Sequence, residues 1–250
     1  MFVPSTSTTS EDMFNGRVLV ITGAGVSAES GVPTFRGKDG YWRNLDPTKL
    51  ATPEAFAHDP NLVWDWYRER RQRIRTAQPN PAHQAIAKLA ERASEFLLVT
   101  QNVDDLHRRA GLPLEKMVQI HGDIFITHCS RCDFERHEHD DGSLPKCPEC
   151  GALMRPGVFW FGEQLDLARI RTVENFVTAD DCDLVIVAGT TALFGYITAW
   201  ALRARGRTGQ LIEVNPEETS LSQFATKSFR EPAGVALPRL VHELLSNVSA

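Results

Sequence analysis

At 250 residues, with 42% apolar and 24% charged side chains, the chain has room for one large soluble domain or for a large domain carrying a small insert. A net charge of −5, from 32 acidic against 27 basic residues, argues against non-specific nucleic-acid binding as its main activity. No apolar run reaches the ~18–20 residues that a membrane-spanning helix needs, so no membrane partner is expected.

The first residues read MFVPSTSTTSEDMF. They have neither the basic start nor the apolar centre of a secretory signal, and 1–13 is expected to be a flexible tail. The first predicted strand, 17–22, carries Val18, Leu19, Val20 and Ile21, the apolar run of a strand buried on both faces. It stops at Gly23, Ala24 and Gly25, and with Ser27 and Ala28 following, the spacing is G-x-G-x-x-A. Glycines in such a turn let backbone N–H groups approach a pyrophosphate beside a helix N-terminus. Ser30, Gly31, Val32 and Pro33 then break any helix almost at once. A loop with Phe35, Arg36, Asp39 and Trp42 stands where an ordinary dinucleotide unit runs a full helix toward a ribose-binding acid. A phosphate cradle is expected, with the rest of the cofactor held differently.

The segment 29–80 reads as irregular, with Pro33, Pro47 and Pro53 and three tryptophans, before a helix predicted over 60–77. Tyr67 and Arg70 share one face of that helix, and an arginine fork beside a phenol suits a carboxylate. The surrounding Arg68, Arg71, Arg73 and Arg75 equally describe a solvated basic face. A helix over 81–93 leads to a strand over 95–100, which ends in Thr100, Gln101, Asn102, Val103 and Asp104. Ligands of open α/β sheets bind outside the carboxyl ends of the strands. Asn102 and Asp104 are therefore expected in the same crevice as the turn 23–25. Capping of a helix over 103–110 by Asn102 would explain one of these polar residues, not three.

A short strand over 117–120 ends at His121 and Gly122. A histidine there is either a satisfied polar residue or a general base near neutral pH; His83, His107 and His128 have no such placement. The polar segment 122–157 holds Cys129, Cys132, Cys147 and Cys150 as C-x2-C-x14-C-x2-C, with His137, Glu138, His139, Asp140 and Asp141 between the pairs. Close cysteine pairs point to a metal clip rather than a secreted disulfide framework, and so to a cytoplasmic protein. Four thiolates suit tetrahedral Zn²⁺ with no open position, a structural site without which so small an insert would not hold together. Cys182 reads as a buried structural thiol. Strands over 183–188 and 210–214 end in Gly189, Thr190 and Thr191 and in Asn215 and Pro216, among helices predicted over 166–179, 196–205 and 233–247. This alternation predicts an α/β protein with a parallel sheet covered on both faces, formed by 1–121 and 158–250. The module 122–157 is inserted into it, and 29–80 forms a cofactor-loop and helical insert. Polar turns at five strand ends outline a crevice.

Several motifs fall in order along the chain: GAG-x-SAESG-x-PTFRG over 23–37, TQNVD over 100–104, HG at 121–122 and the two CxxC pairs. RPxVxWFGE over 155–163, GTT at 189–191 and IEVNPE over 212–217 follow. On these motifs the chain resembles the sirtuins, NAD-dependent protein lysine deacylases, over roughly 14–248. The resemblance implies a Rossmann-like large domain and a zinc ribbon beside the crevice. It implies NAD consumed as a co-substrate, one structural Zn²⁺ and acylated-lysine proteins as partners. Phe35 and Arg36 would close over the nicotinamide ribose, Asn102 and Asp104 would place the carboxamide, and Gln101, Asn215 and Ala233 would complete the NAD set. His121 would be the general base for the ribose hydroxyls, giving nicotinamide and O-acyl-ADP-ribose. Val158, Phe161 and Gly162 would flank the substrate peptide. The Y-x-x-R pair is similar to that of the branch removing succinyl, malonyl and glutaryl groups. One departure stands out: the family usually continues GTS-x-x-V-x-P-A, whereas this chain has Phe194, Gly195 and Tyr196 in the later positions. Two other readings stay open: transfer of ADP-ribose to protein or water, and a non-catalytic NAD-sensing zinc protein.

Overall fold

The computed structural model describes residues 14–34, 46–137 and 142–246. The expected tail 1–13, Phe35, Arg36, Asp39 and Trp42, and Glu138, His139, Asp140 and Asp141 lie outside the described residues.

In β1 (Phe14–Thr22), Val18 and Val20 pack into one apolar core while Leu19 and Ile21 pack into another, because successive side chains of a strand leave opposite faces. The strand therefore has helices on both sides. It is followed by α1 (Gly25–Ala28), α2 (Pro47–Leu50), α3 (Pro53–His58), α4 (Pro60–Thr76) and α5 (Pro81–Arg92). Next come β2 (Ala93–Thr100), α6 (Leu106–Arg109) and β3 (Met117–Gln119), then β4 (Gly122–Cys129), β5 (Glu135–His137) and β6 (Met154–Val158). The chain continues through α7 (Leu167–Ala179), β7 (Leu184–Ala188), α8 (Gly195–Arg205), β8 (Gln210–Val214), β9 (Lys227–Phe229) and α9 (Ala233–Ser246).

Among the described residues, six strands form one parallel sheet in the order β3-β2-β1-β7-β8-β9. Register places Val18 beside both Phe96 and Leu184, and Thr22 beside Thr100 and Ala188. Helices α5 and α9 cover one face, α7 and α8 the other. This is the doubly covered parallel sheet expected from the alternation. Edge strand β9, only three residues long and mostly exposed, left no apolar run in the sequence.

Two of the three prolines that made 29–80 look irregular, Pro47 and Pro53, mark helix starts, while Pro33 is the break expected. Pro47, Pro53, Pro60 and Pro81 each open a helix, where the missing N–H costs nothing, behind the side-chain caps Asp46, Thr52, Asp59 and Asn80. In contrast, α1 ends after one turn, as Ser30, Gly31 and Pro33 require.

A second sheet, order β5-β4-β6, is antiparallel and pairs Gly122 with Val158. Its link to α4 corrects one expectation: Arg71 belongs to no solvated face. It is fully buried, its Nε donates to the Ile124 carbonyl at 2.6 Å, and its Nη2 donates to Ile126 O at 3.1 Å and Thr127 Oγ1 at 3.0 Å. Trp64 adds an indole N–H to Met154 O at 3.0 Å. Replacing Arg71 by Met would leave buried carbonyls without a donor. The expected cost is about 3 kcal/mol of folding stability or more, measurable as a lower denaturation midpoint.

Candidate active site

The loops leaving the carboxyl ends of β1, β2, β3, β7 and β8 converge on a cleft of about 730 Å³. Its floor lies between β1 and β7, where the strand order reverses and open α/β sheets bind ligands.

The floor is two turns in close contact. Gly23 N donates to Ala188 O at 3.0 Å and Gly25 N to Gly189 O at 2.8 Å. A Cβ on Gly25 would lie 2.8 Å from Gly189 Cα, and Gly189 itself has φ +60 with no room for a side chain against Val26 N. These glycines thus serve the approach of turn to turn, and the N–H groups of Gly23 and Gly25 are spent on it rather than turned toward a phosphate. Gln101 braces both turns, donating from Nε2 to Thr190 Oγ1 at 2.9 Å, with its backbone N bonded to Thr22 O at 2.9 Å. Asn215 follows β8, whose buried Glu213 accepts from Arg230 at 2.6 Å and Ser222 at 2.8 Å.

Beneath the next part of the cleft lies a buried polar chain. Ser27 Oγ donates to Asp104 Oδ2 at 2.9 Å and accepts from Asn102 Nδ2 at 3.1 Å. Asp104 also accepts from Leu106 N at 3.1 Å, so this carboxylate, not Asn102, holds the start of α6, which begins three residues later than expected. His83 lies 3.3 Å from Ser27 Oγ, and His107 lies 3.2 Å from Thr22 Oγ1, the two rings being 4.7 Å apart. Sequence reasoning gave both histidines no role, since their place under the site exists only once α5 and α6 meet. Burial raises the Asp104 carboxyl, an effect reduced by its bonds to Leu106 and Ser27.

His121 faces the cleft. Its Nδ1 is 3.0 Å from Gln101 O, and a carbonyl only accepts, so Nδ1 carries the hydrogen and Nε2 keeps a lone pair in the neutral ring. Burial holds this ring neutral, its pKa pushed down to about 4. Nε2 is 2.7 Å from the Tyr196 hydroxyl. Sequence reasoning missed Tyr196 as a site residue; its place in an atypical loop was the available signal.

The opposite wall joins α4 to the residues after β6. Tyr67 accepts from Trp160 Nε1 at 2.9 Å, and its phenol is raised to about 12 by burial. The Arg70 guanidinium lies 5.0 Å over the Trp66 ring, and burial lowers its pKa, partly offset by Tyr67 and Asp104. Arg155 clamps Glu163 at 2.5 and 2.8 Å, fixing the segment that brings Val158, Phe161 and Gly162 to the cleft.

The Sir2 family pattern matches residues 23–194. The chain belongs to the Sir2 family. The NAD-dependent protein deacylase of Aquifex aeolicus is 43% identical over 231 residues, 91% of this chain and 95% of its own. NAD-dependent protein deacylase 1 of Archaeoglobus fulgidus is 45% identical over 240 residues, 93% and 94% of the two chains. A solved mutant Sir2 homologue in complex with 2′-O-acetyl-ADP-ribose superposes with a TM-score of 0.88 at 42% identity, covering 95% of each chain.

Within this Sir2 cleft the structure brings together Gly23, Ala24, Gly25, Ser27, Tyr67, Arg70, Gln101, Asn102, Asp104, His121, Val158, Phe161, Gly162, Gly189, Thr190, Thr191 and Asn215. Two expected residues do not line it. Ala28 is exposed at the end of α1, and Ala233 packs into the core under α9. Phe35 and Arg36 lie outside the described residues.

Away from the cleft floor, the sulfur atoms of Cys129, Cys132, Cys147 and Cys150 all lie within 4.8 Å of one another. The pairs Cys129–Cys150 and Cys132–Cys147 are 3.4 and 3.6 Å apart. A zinc tetrahedron with Zn–S near 2.3 Å has sulfur–sulfur edges of about 3.8 Å, so the four thiols fit the ion. The backbone N–H groups of Arg131 and Cys132 donate to Cys129 Sγ at 3.3 and 3.4 Å, as outer-shell donors orient a thiolate. Among the described residues, no helix is long and apolar enough to cross a membrane.

Cys147→Ser is expected to reduce bound zinc, read by elemental analysis, and to lower the unfolding temperature of this Sir2 chain. Acid gives a second test. His83 and His121 are held down to about 4 and His107 and His128 are lowered too, so between pH about 4 and 6.5 these four bind protons in the unfolded chain first. Stability should therefore fall as pH drops through that window. The raised carboxyls of Asp104 and Asp123 oppose the loss, two groups against four. Denaturant titrations at pH about 7.5 and about 5 measure the difference.

Proposed function

We propose that this chain is an NAD-dependent protein lysine deacylase that prefers acyl groups ending in a carboxylate. The observation that carries the reading is one cleft lined at once by the glycine turns, by His121 and by Tyr67 with Arg70. Bound NAD supplies a ribose C1′ open to attack by the acyl oxygen, with loss of nicotinamide.

The chain's own residues divide the remaining tasks. Turns 23–25 and 189–191 with Asn215 hold the dinucleotide. Asn102 and Asp104, locked through Ser27, place its nicotinamide end. His121, neutral and with its basic nitrogen toward the cleft, takes the proton of a ribose hydroxyl that then attacks the acyl carbon. The 2′-O-acetyl-ADP-ribose bound to a related Sir2 protein supports this product class. Val158, Phe161 and Gly162 flank the peptide of an acylated protein.

The acyl preference rests on the far wall. Because the Trp160 indole can only donate, the Tyr67 oxygen accepts from it and keeps its own hydrogen to donate. With Arg70 on the same face of α4, one phenol and one guanidinium can meet a terminal carboxylate. The paired thiols need a reducing compartment, which supports a cytoplasmic site of action.

Acetyl-, malonyl-, succinyl- and glutaryl-lysine peptides with NAD, followed by mass spectrometry, test the proposal. The acidic acyl peptides should turn over faster than the acetyl peptide, and His121→Ala should abolish turnover of all. Tyr67→Phe with Arg70→Met should cost desuccinylation ~10²-fold, as loss of two hydrogen bonds to a charged group implies, and spare deacetylation. Equal loss of both activities would refute the acidic preference. Release of free ADP-ribose without regard to acyl peptide would assign NAD hydrolysis instead.

A further inference from the structure

His121 has one basic nitrogen, and a second side chain of the cleft already engages it. With Nδ1–H held by Gln101 O at 3.0 Å, Nε2 is the acceptor, and the Tyr196 phenol donates to it at 2.7 Å. Tyr196 also lines the cleft, as His121 does.

The phenol is held there by packing on several sides. Phe194 stacks on its ring at 5.5 Å with planes 13° apart, and Trp200 packs at 5.1 Å. Trp200 is buried and its indole N–H is fixed by Glu174 at 2.6 Å. Phe194 in turn meets the His121 ring edge-on at 5.6 Å. The loop leading in turns through Ala192 at φ 51, a left-handed conformation rare for a residue other than glycine, and Ala192 O accepts from Thr198 and Ser220. Swinging Tyr196 aside would break its ring contacts with Phe194 and Trp200 and its hydrogen bond.

We propose that Tyr196 is a catalytic residue, a proton relay between the substrate hydroxyl and His121. The proposal rests on the deacylase reading and on His121 as its base. A phenol oxygen bonded to Nε2 still has lone pairs to accept a hydrogen bond from the cleft. In the step, the hydroxyl O–H bond breaks and its proton passes to Tyr196 Oη, while the Oη–H proton passes to His121 Nε2. The electron pair stays on the hydroxyl oxygen, which bonds the acyl carbon as the π pair of the bond from that carbon to the lysine nitrogen moves onto the nitrogen. Tyr196 ends as it began, a neutral phenol, and His121 ends as imidazolium. Burial raises the phenol to about 12, so it carries its proton throughout the neutral range. Phe194, Gly195 and Tyr196 replace the aliphatic residue and proline usual at this point of a sirtuin, so the relay is a property of this chain.

Tyr196→Phe removes one oxygen and keeps the ring and its packing. Two rates are measured: deacylation of an acyl-lysine peptide, and exchange of isotope-labelled nicotinamide into NAD, which needs attack at C1′ but no base. Deacylation should fall ~10–100-fold, within the range for loss of an acid–base group, with exchange unchanged within about twofold. Unchanged deacylation overturns the relay. A rise overturns it too and makes the phenol a plug on the base. A parallel fall of both rates makes Tyr196 a structural support and likewise overturns it. His121→Ala in the same assay separates the two ideas: if it leaves deacylation intact, the assignment of the base fails, whatever Tyr196→Phe does.

Discussion

The contact on which the rest depends is that between the turn 23–25 and Gly189. The parallel sheet is covered on both faces, so polar chemistry has no place along its strands and is confined to their carboxyl ends. There, β1 and β7 lie side by side while their connections run to opposite sides, and the two turns close the gap with backbone hydrogen bonds of 3.0 and 2.8 Å. Gln101 reaches across to Thr190, and the Gln101 carbonyl orients His121. The chain of consequence therefore runs from the absence of three side chains to the protonation geometry of one imidazole.

Burial acts on this site in two ways. For Asp104 it raises the carboxyl, and Ser27 and Leu106 answer with hydrogen bonds that hold the group in place. For the histidines it favours the neutral ring, which leaves a lone pair available at His121 but makes each ring a destabilising proton sink in acid. The same desolvation that keeps the ring an acceptor narrows the pH range over which the fold is strong.

Much of this was legible in the chain. Strands β1, β2, β7 and β8 are each rich in Val, Leu or Ile, so their existence and their polar ends could be read directly, and the CxxC pairs announced the thiol cluster. What escaped was set by contacts between distant segments. Arg71 looked like its four arginine neighbours until α4 docked on β4, because a basic run does not say which member turns inward. Pro47 and Pro53, which read as irregular, were helix starts, a difference decided by the capping residue before each. His83 and His107 acquire a place only where α5 and α6 meet, and the tie between Tyr196 and His121 spans 75 residues. Ala28 and Ala233 stand apart from the cleft lining, since a pattern position does not by itself turn a small side chain toward a cleft.

Arg71 has one more consequence. Its three hydrogen bonds anchor α4, and with it Tyr67 and Arg70, in an apolar core shared with Ile124, Val158 and Trp160. That core is separate from the two that flank the parallel sheet. The two walls of the cleft thus stand on different foundations. Substitutions that reshape the wall formed by α4 are absorbed by packing that the floor does not share, so one wall can drift over generations while the other stays as it is.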